Sequence, residues 1–289
     1  MMRIFNWTKR KSTAEIILYS CVSLLFFAVA FSYLYIVVWA FIAGCRTHTE
    51  IIMQPFGLPD KWQFKNYIDV FKILEVNGNN FFDMLFNSVW FSVVGVLIQQ
   101  FVTINLAYAC SKYSFPGSTL IHSIVLVMLT LPLYGTGGAQ YKLFYNLGLI
   151  DSYAQVISAT AGMNSMFLYY VAYFKNVSWT YAEAAMMDGA HDFQIYFRVM
   201  LPQAKPIFGA LFLTQWLGNW NEYSSCLVYL PNLPTLPVGI YQFNTEMIYR
   251  ARLDILFAAC VIVALPAIIL FIVFNKTLTT SVSVGGIKG

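Results

Sequence analysis

The chain has 289 residues, 59% of them hydrophobic and only 10% charged, with a mean hydropathy of +0.64. Soluble domains carry about 25% charged residues, and a water-soluble fold of this length could not hide so much apolar surface, so lipid is the expected solvent. The net charge of +4 comes from dispersed residues rather than a stripe or patch, which argues against a nucleic-acid partner.

A spanning helix needs roughly 20 predominantly apolar residues. Residues 16–45 hold no charge, are too long for a signal-peptide core, and are closed by no small-residue cleavage pattern, so they are expected as a retained first span. The second span is expected between Asp83 and Lys112. The third lies between Lys112 and Lys142, opened by Pro116-Gly117 and broken near Pro132. The fourth lies between Asp151 and Lys175. The fifth starts after Pro206 and runs to about Tyr229, with Glu222 inside it, and the sixth lies between Asp254 and Lys276. The expectation is an all-α integral membrane protein with six transmembrane helices, residues 15–275. A cytoplasmic segment, 1–14, precedes them and a cytoplasmic tail, 276–289, follows.

With the N-terminus inside, ten basic residues fall on the cytoplasmic side and seven outside. The dense cluster Arg3, Lys9, Arg10 and Lys11 is the stronger argument for both termini being cytoplasmic. Residues 46–82 form an outer loop expected to be ordered, since it carries Trp62, Phe64, Tyr67 and Phe71. The five cysteines form no CxxC pair and the three histidines are far apart, so neither a disulfide framework nor a metal site is expected.

Residues 175–205 form the one long cytoplasmic loop. Ala182 to Asp188 reads as a short helix, with small alanines, Glu183 near its start and no branched residue. Gly189 suits the left-handed position that stops a helix. A second helix follows, with Phe193, Tyr196, Phe197 and Met200 at the spacing of one apolar stripe. Pro202 is expected to end it and Pro206 to open the fifth span. The smooth Ala184-Ala185 surface and the acids Glu183 and Asp188 suit docking into a groove of a protein partner. The alternative is an amphipathic element lying on lipid headgroups. The acidity of the first helix counts against it, because the inner leaflet is negative.

This loop also resembles the "EAA" loop of permease subunits in binding-protein-dependent ATP-binding-cassette importers. Glu183-Ala184-Ala185, Asp188-Gly189-Ala190 and Val199-Met200-Leu201-Pro202 stand at the family's spacing, with Val199 where isoleucine is usual. Further resemblances are Ala107-Tyr108-Ala109 with Phe115-Pro116-Gly117, residues 146–151, and Trp220-Asn221-Glu222, which is similar to a signature of carbohydrate permeases like the smaller subunit of the maltose transporter. Gly137-Gly138 ahead of Tyr141 resembles the subgroup serving larger saccharides. Ser178 stands where proline is usual and Ala182 where an acid is common.

The resemblance implies a type I importer permease fold and a saccharide substrate. It also implies a second permease subunit, two separate ATP-binding subunits and an extracytoplasmic solute-binding protein, in a bacterial cell membrane. No GxxxxGK[ST] loop occurs in the chain, so ATP and magnesium are expected on the partner subunits and no cofactor or catalytic residue on this one. The coupling residues it implies are Glu183, Ala184, Ala185, Asp188, Gly189, Leu201 and Pro202. Residues 278–289 are expected either to reach the ATPase subunits or to fray.

Polar residues inside membrane spans are costly and tend to face an aqueous cavity or other helices. The candidates for a substrate path are Gln99 and Asn105 on the second span and Asn219, Trp220, Asn221, Glu222 and Tyr223 on the fifth, with Asn87, Gln100, Asn164 and Gln215 as further polar positions. Aromatic rings beside amides suit sugars. Interhelical hydrogen bonding is the alternative for each. A membrane-embedded enzyme would need clustered His and Asp, a Ser-Lys pair or a metal motif, and the spans show none. A passive channel, a scaffold subunit, or a permease for another solute are the remaining alternatives.

Overall fold

The computed structural model describes residues 12–131, 137–156, 164–245 and 252–285, with side chains as far as Phe274. The described residues are helical and contain no β-strand. Among the described residues, three helices are long and apolar enough to cross a membrane: α1 (Thr13–Gly44), α4 (Phe81–Lys112) and the stretch Leu253–Phe274 of the last helix. At 1.5 Å per residue, 32 residues reach about 48 Å, more than a bilayer core of about 30 Å. These three coincide with the first, second and sixth expected spans. The other expected spans hold shorter described helices, α5 (Ser118–Thr130), α7 (Ser165–Asn176) and α10 (Lys205–Trp220). The expected break near Pro132 lies outside the described residues.

The chain divides into two compact units, one of residues 1–69 and 251–262, the other of 70–250 and 263–289. In the first, α1 begins on a capping box in which Ser12 N–H donates to Glu15 Oε2 at 3.0 Å. Residues 13–38 are all exposed. A helix with so little charge and no buried face is suited to lipid or to a partner subunit, not to water. Just ahead of α2 (His48–Met53), Arg46 turns inward and is 1% exposed. Its Nη2 donates to the carbonyls of Glu50 and Gln54, both at 2.7 Å. Asn66 Nδ2 donates to the carbonyls of Gly44 and Arg46, and Tyr67 OH to that of Phe41. The outer loop is thus ordered in this unit by polar side chains satisfying backbone, as much as by its aromatics. Arg46, counted from sequence as a loop charge, is a structural donor.

The second unit is built on α4. Its middle makes a π-helical turn at Trp90–Val94. Its later half packs on α7, burying Ile104, Ala107 and Tyr108 against Phe167, Tyr170 and Phe174. The oxygen of a buried amide is paired in this core, where Tyr170 OH donates to Gln100 Oε1 at 2.7 Å, while Gln100 Nε2 meets no hydrogen-bond acceptor among the described residues. α6 (Gly137–Asn146) ends in a Schellman motif: Gly148, at φ +66°, lets the Leu149 N–H reach the Phe144 carbonyl at 2.9 Å. That stop is what the Asn146-Leu147-Gly148 stretch does locally. α3 (Lys65–Ile73) precedes α4, and α11 (Ser224–Tyr229), α12 (Leu236–Thr245) and α13 (Leu253–Gly285) follow α10; α13 remains helical through most of the sequence-predicted tail.

Candidate functional site

Two places gather the residues singled out from sequence. The first is the loop after α7. Ser178 opens it, its Oγ accepting from the Thr180 N–H. Helix α8 (Thr180–Met187) follows, starting two residues earlier than the alanine run indicates. Gly189 takes φ +79° and closes a Schellman motif, with Gly189 N–H on the Met186 carbonyl and Ala190 N–H on that of Ala185, each at 2.9 Å. Only glycine adopts this conformation without penalty, and Ala190 packs back towards the helix end.

Helix α9, residues 192–203, contains a π turn at Ile195–Met200. This turn splits the stripe expected from sequence. Ile195, Tyr196 and Met200 are buried with Tyr108, Phe174 and Ala182, whereas Phe193 is 79% exposed and Phe197 is also exposed. The wider π turn shifts the register by which i, i+3 and i+4 align, so four residues at α-helical spacing cannot all face one way. Burial pushes the Tyr196 hydroxyl up to about 12. Pro202 sits in the last turn of α9 rather than beyond it, and only Ala204 separates that turn from α10.

The resulting surface carries Glu183, Ala184, Asp188 and Gly189, all exposed, beside Met187, which is 89% exposed, and the stacked rings of Phe193 and Phe197. Ala185, Leu201 and Pro202 are half-buried and form its base. Both ends of the loop are tied down. Lys112 Nζ donates to the Val177 carbonyl at 2.6 Å, and Tyr173 OH donates to the Gln203 carbonyl. The arrangement is an apolar and acidic face held on a packed apolar seat.

The second place is the break after α10. Trp220 is the last helical residue, Asn221 caps the end by donating to the Leu217 carbonyl at 2.8 Å, and Glu222 Oε1 accepts the Ser225 N–H of α11 at 2.8 Å. Glu222 thus stands at a joint between helices, where a carboxylate has a backbone partner, and not within an unbroken helix. A cavity of about 230 Å³ opens beside it, lined by Asn219, Glu222 and Ser225 together with Phe91, Gln140, Gln155 and Tyr229. Trp220 is turned away into packing: it stacks on Trp216 at 5.0 Å and its indole N–H donates to the Val263 carbonyl at 3.1 Å. Tyr223 is exposed and stacks on Tyr241. Gln99 is buried, and Asn105 bonds the Phe101 carbonyl of its own helix; neither lines the cavity.

The other polar positions are spent on structure. Asn87 holds the Pro234 carbonyl, Asn164 caps α7, and Gln215 meets Asn219. Gln140 and Gln155 escape sequence reasoning because a lone glutamine near the edge of an apolar run carries no signal until chain folding brings it to the joint.

Residues 104–284 match the model of the family described as binding-protein-dependent transport system inner membrane component. The chain is 29% identical over 272 residues to the arabinooligosaccharides transport system permease protein of Bacillus subtilis, covering 92% of this chain and 95% of that one. It is 29% identical over 252 residues to the diacetylchitobiose uptake system permease protein of Streptomyces coelicolor, covering 86% and 82%. Its fold superposes with TM-score 0.77 and 24% identity on a chain of a solved bacterial ABC transporter involved in the import of the acidic polysaccharide alginate, covering 93% of this chain and 99% of that one. The apolar helices, the seated loop and the matched model together make this chain a member of the family of binding-protein-dependent transport system inner membrane components, a membrane transport component rather than a catalytic one.

Proposed function

We propose that this chain is one permease subunit of an ATP-driven importer of carbohydrate, forming half of the path for an oligo- or polysaccharide delivered by a solute-binding protein. The observation that carries the reading is the exposed face Glu183, Ala184, Asp188, Gly189 and Met187 on a buried apolar seat, in a chain whose relatives are named as saccharide permeases. ATP and magnesium belong to two separate subunits that dock there, and a second permease subunit completes the path. In this reading six spans leave both termini in the cytoplasm, and the third, fourth and fifth crossings contain the shorter described helices α5, α7 and α10. The loop transmits work only by biasing two discrete packings of the spans, since a ligand or partner shifts an equilibrium only through differential contact.

The test is uptake and ATPase activity of the complete reconstituted transporter. Glu183→Lys reverses a charge on the docking face, and Gly189→Pro forbids the left-handed turn. Both are expected to abolish uptake and substrate-stimulated ATP hydrolysis while the subunit still inserts. Normal stimulation in either variant overturns the docking assignment.

A further inference from the structure

The cavity at the α10–α11 joint bears on what the transporter accepts, an inference that rests on the carbohydrate reading above. Its walls combine three side-chain amides, Gln140, Gln155 and Asn219, with the Glu222 carboxylate and the ring of Tyr229. Gln155 is 1% exposed, so it is placed by packing and not free on a surface. Tyr229 is braced by stacking on Tyr141 at 6.3 Å and by the edge contact of Phe144 at 5.1 Å. The amides of Gln140 and Asn219 offer donors and acceptors to hydroxyl groups, while the buried Gln155 and Tyr229 shape the wall. At about 230 Å³ the space is below the ~300–1,000 Å³ of drug-sized sites, which fits one sugar unit rather than a chain.

The charge is one-sided. No lysine, arginine or histidine is among the described residues lining the cavity. The Ser225 N–H fixes Glu222 Oε1, while Oε2 receives no hydrogen bond from any described residue. A carboxylate held without a basic partner in a confined space repels a second carboxylate, more strongly as water is excluded. Rejection by an unpaired like charge is a recognised route to specificity.

We propose that the Gln140, Gln155, Asn219, Glu222 and Tyr229 cavity is a sugar subsite that admits saccharide units lacking a carboxylate and rejects uronates, with Glu222 as the excluding residue. The solved neighbour belongs to a transporter of an acidic polysaccharide, so the same fold would here serve saccharides without that charge.

The test is equilibrium binding to the complete purified transporter in nanodiscs, without solute-binding protein, of three radiolabelled tetrasaccharides: cellotetraose, chitosan tetramer and tetragalacturonate. The first two are expected to bind, and the uronate at least about tenfold more weakly. Glu222→Gln keeps an oxygen for the Ser225 N–H and is expected to remove most of that gap. Glu222→Lys is expected to reverse it. Uronate binding equal to that of cellotetraose in the unaltered protein, or a gap unchanged in Glu222→Gln, overturns the subsite assignment and leaves the carbohydrate reading standing. Binding of none of the three to the unaltered protein counts against both.

Discussion

At the Phe81 end of α4, residues 231–236 are held by one-to-one polar bonds, whereas at the Lys112 end the loop of residues 177–203 rests on an apolar bed. In the first region Asn77 Nδ2 donates to the Pro231 carbonyl at 2.9 Å, Asn87 Nδ2 to that of Pro234 at 3.0 Å, and Leu236 N–H to Ser88 Oγ at 2.7 Å. Asp151 accepts both the backbone N–H and the side-chain amide of Asn232, at 2.7 and 2.6 Å. In the second, Ile195, Tyr196 and Met200 meet Tyr108 and Phe174 with only Lys112 and Tyr173 as polar ties. Hydrogen bonds are directional, and a short loop without helical bonds needs them to keep one geometry. Apolar contact is non-directional, so it holds a surface firmly while allowing a small shift between packed states. The polar region is built to stay in place, and the apolar one is built to pass on movement.

The strongest way to break this contrast is to empty the apolar bed. Phe174→Ala removes a fully buried ring and is expected to cost about 3–5 kcal/mol, read as a fall in thermal melting of the purified complex together with rapid amide exchange across 180–200. Asp151→Ala acts on the other side: water replaces the two lost bonds to the exposed Asn232, but alanine is strained at φ +56°, so the change is expected to cost about 1–2 kcal/mol. Exchange should quicken at 230–236 only, and a change spreading to 180–200 would mean the two regions are not separately held. Lys112→Met keeps the stem and deletes the bond to the Val177 carbonyl, a charged hydrogen bond of about 1.5–3 kcal/mol at most. Its expected signature is more ATP hydrolysed per sugar imported, with melting little changed. Gly189→Ala forces a side chain into the left-handed turn at about 1–2 kcal/mol, and Gly189→Asn should recover most of that loss in the same uptake assay. Tyr196→Phe sharpens the contrast at the small end. The hydroxyl is buried with no hydrogen-bond partner, so removing it is expected to leave melting unchanged or slightly raised.

What could be read from sequence was whatever is encoded within a few residues. The uncharged runs gave α1, α4 and the start of α13, because lipid demands a continuous apolar stretch. The stop at Gly189 was legible because a helix end is a local device. The stripe on α9 failed for the opposite reason: the π turn at Ile195–Met200 follows from how Tyr196 is drawn against Tyr108, a contact across 88 positions of chain. Glu222 was visible as an odd charge, but its bond to Ser225 requires the helix to break there, which an apolar run does not announce. Gln140 and Gln155 carry no signal of their own and acquire one only beside Asn219 and Tyr229.

The bare surface of α1 has a consequence for how the molecule is made. Residues 13–38, all but the last six residues of the helix, are exposed, so the stability of this stretch in a bilayer comes from its own backbone bonds and from lipid, the first stage of the two by which helices insert and then associate. Its insertion therefore need not wait for the later helices to be synthesised, and its lateral position is left to be decided by whatever packs on it during assembly.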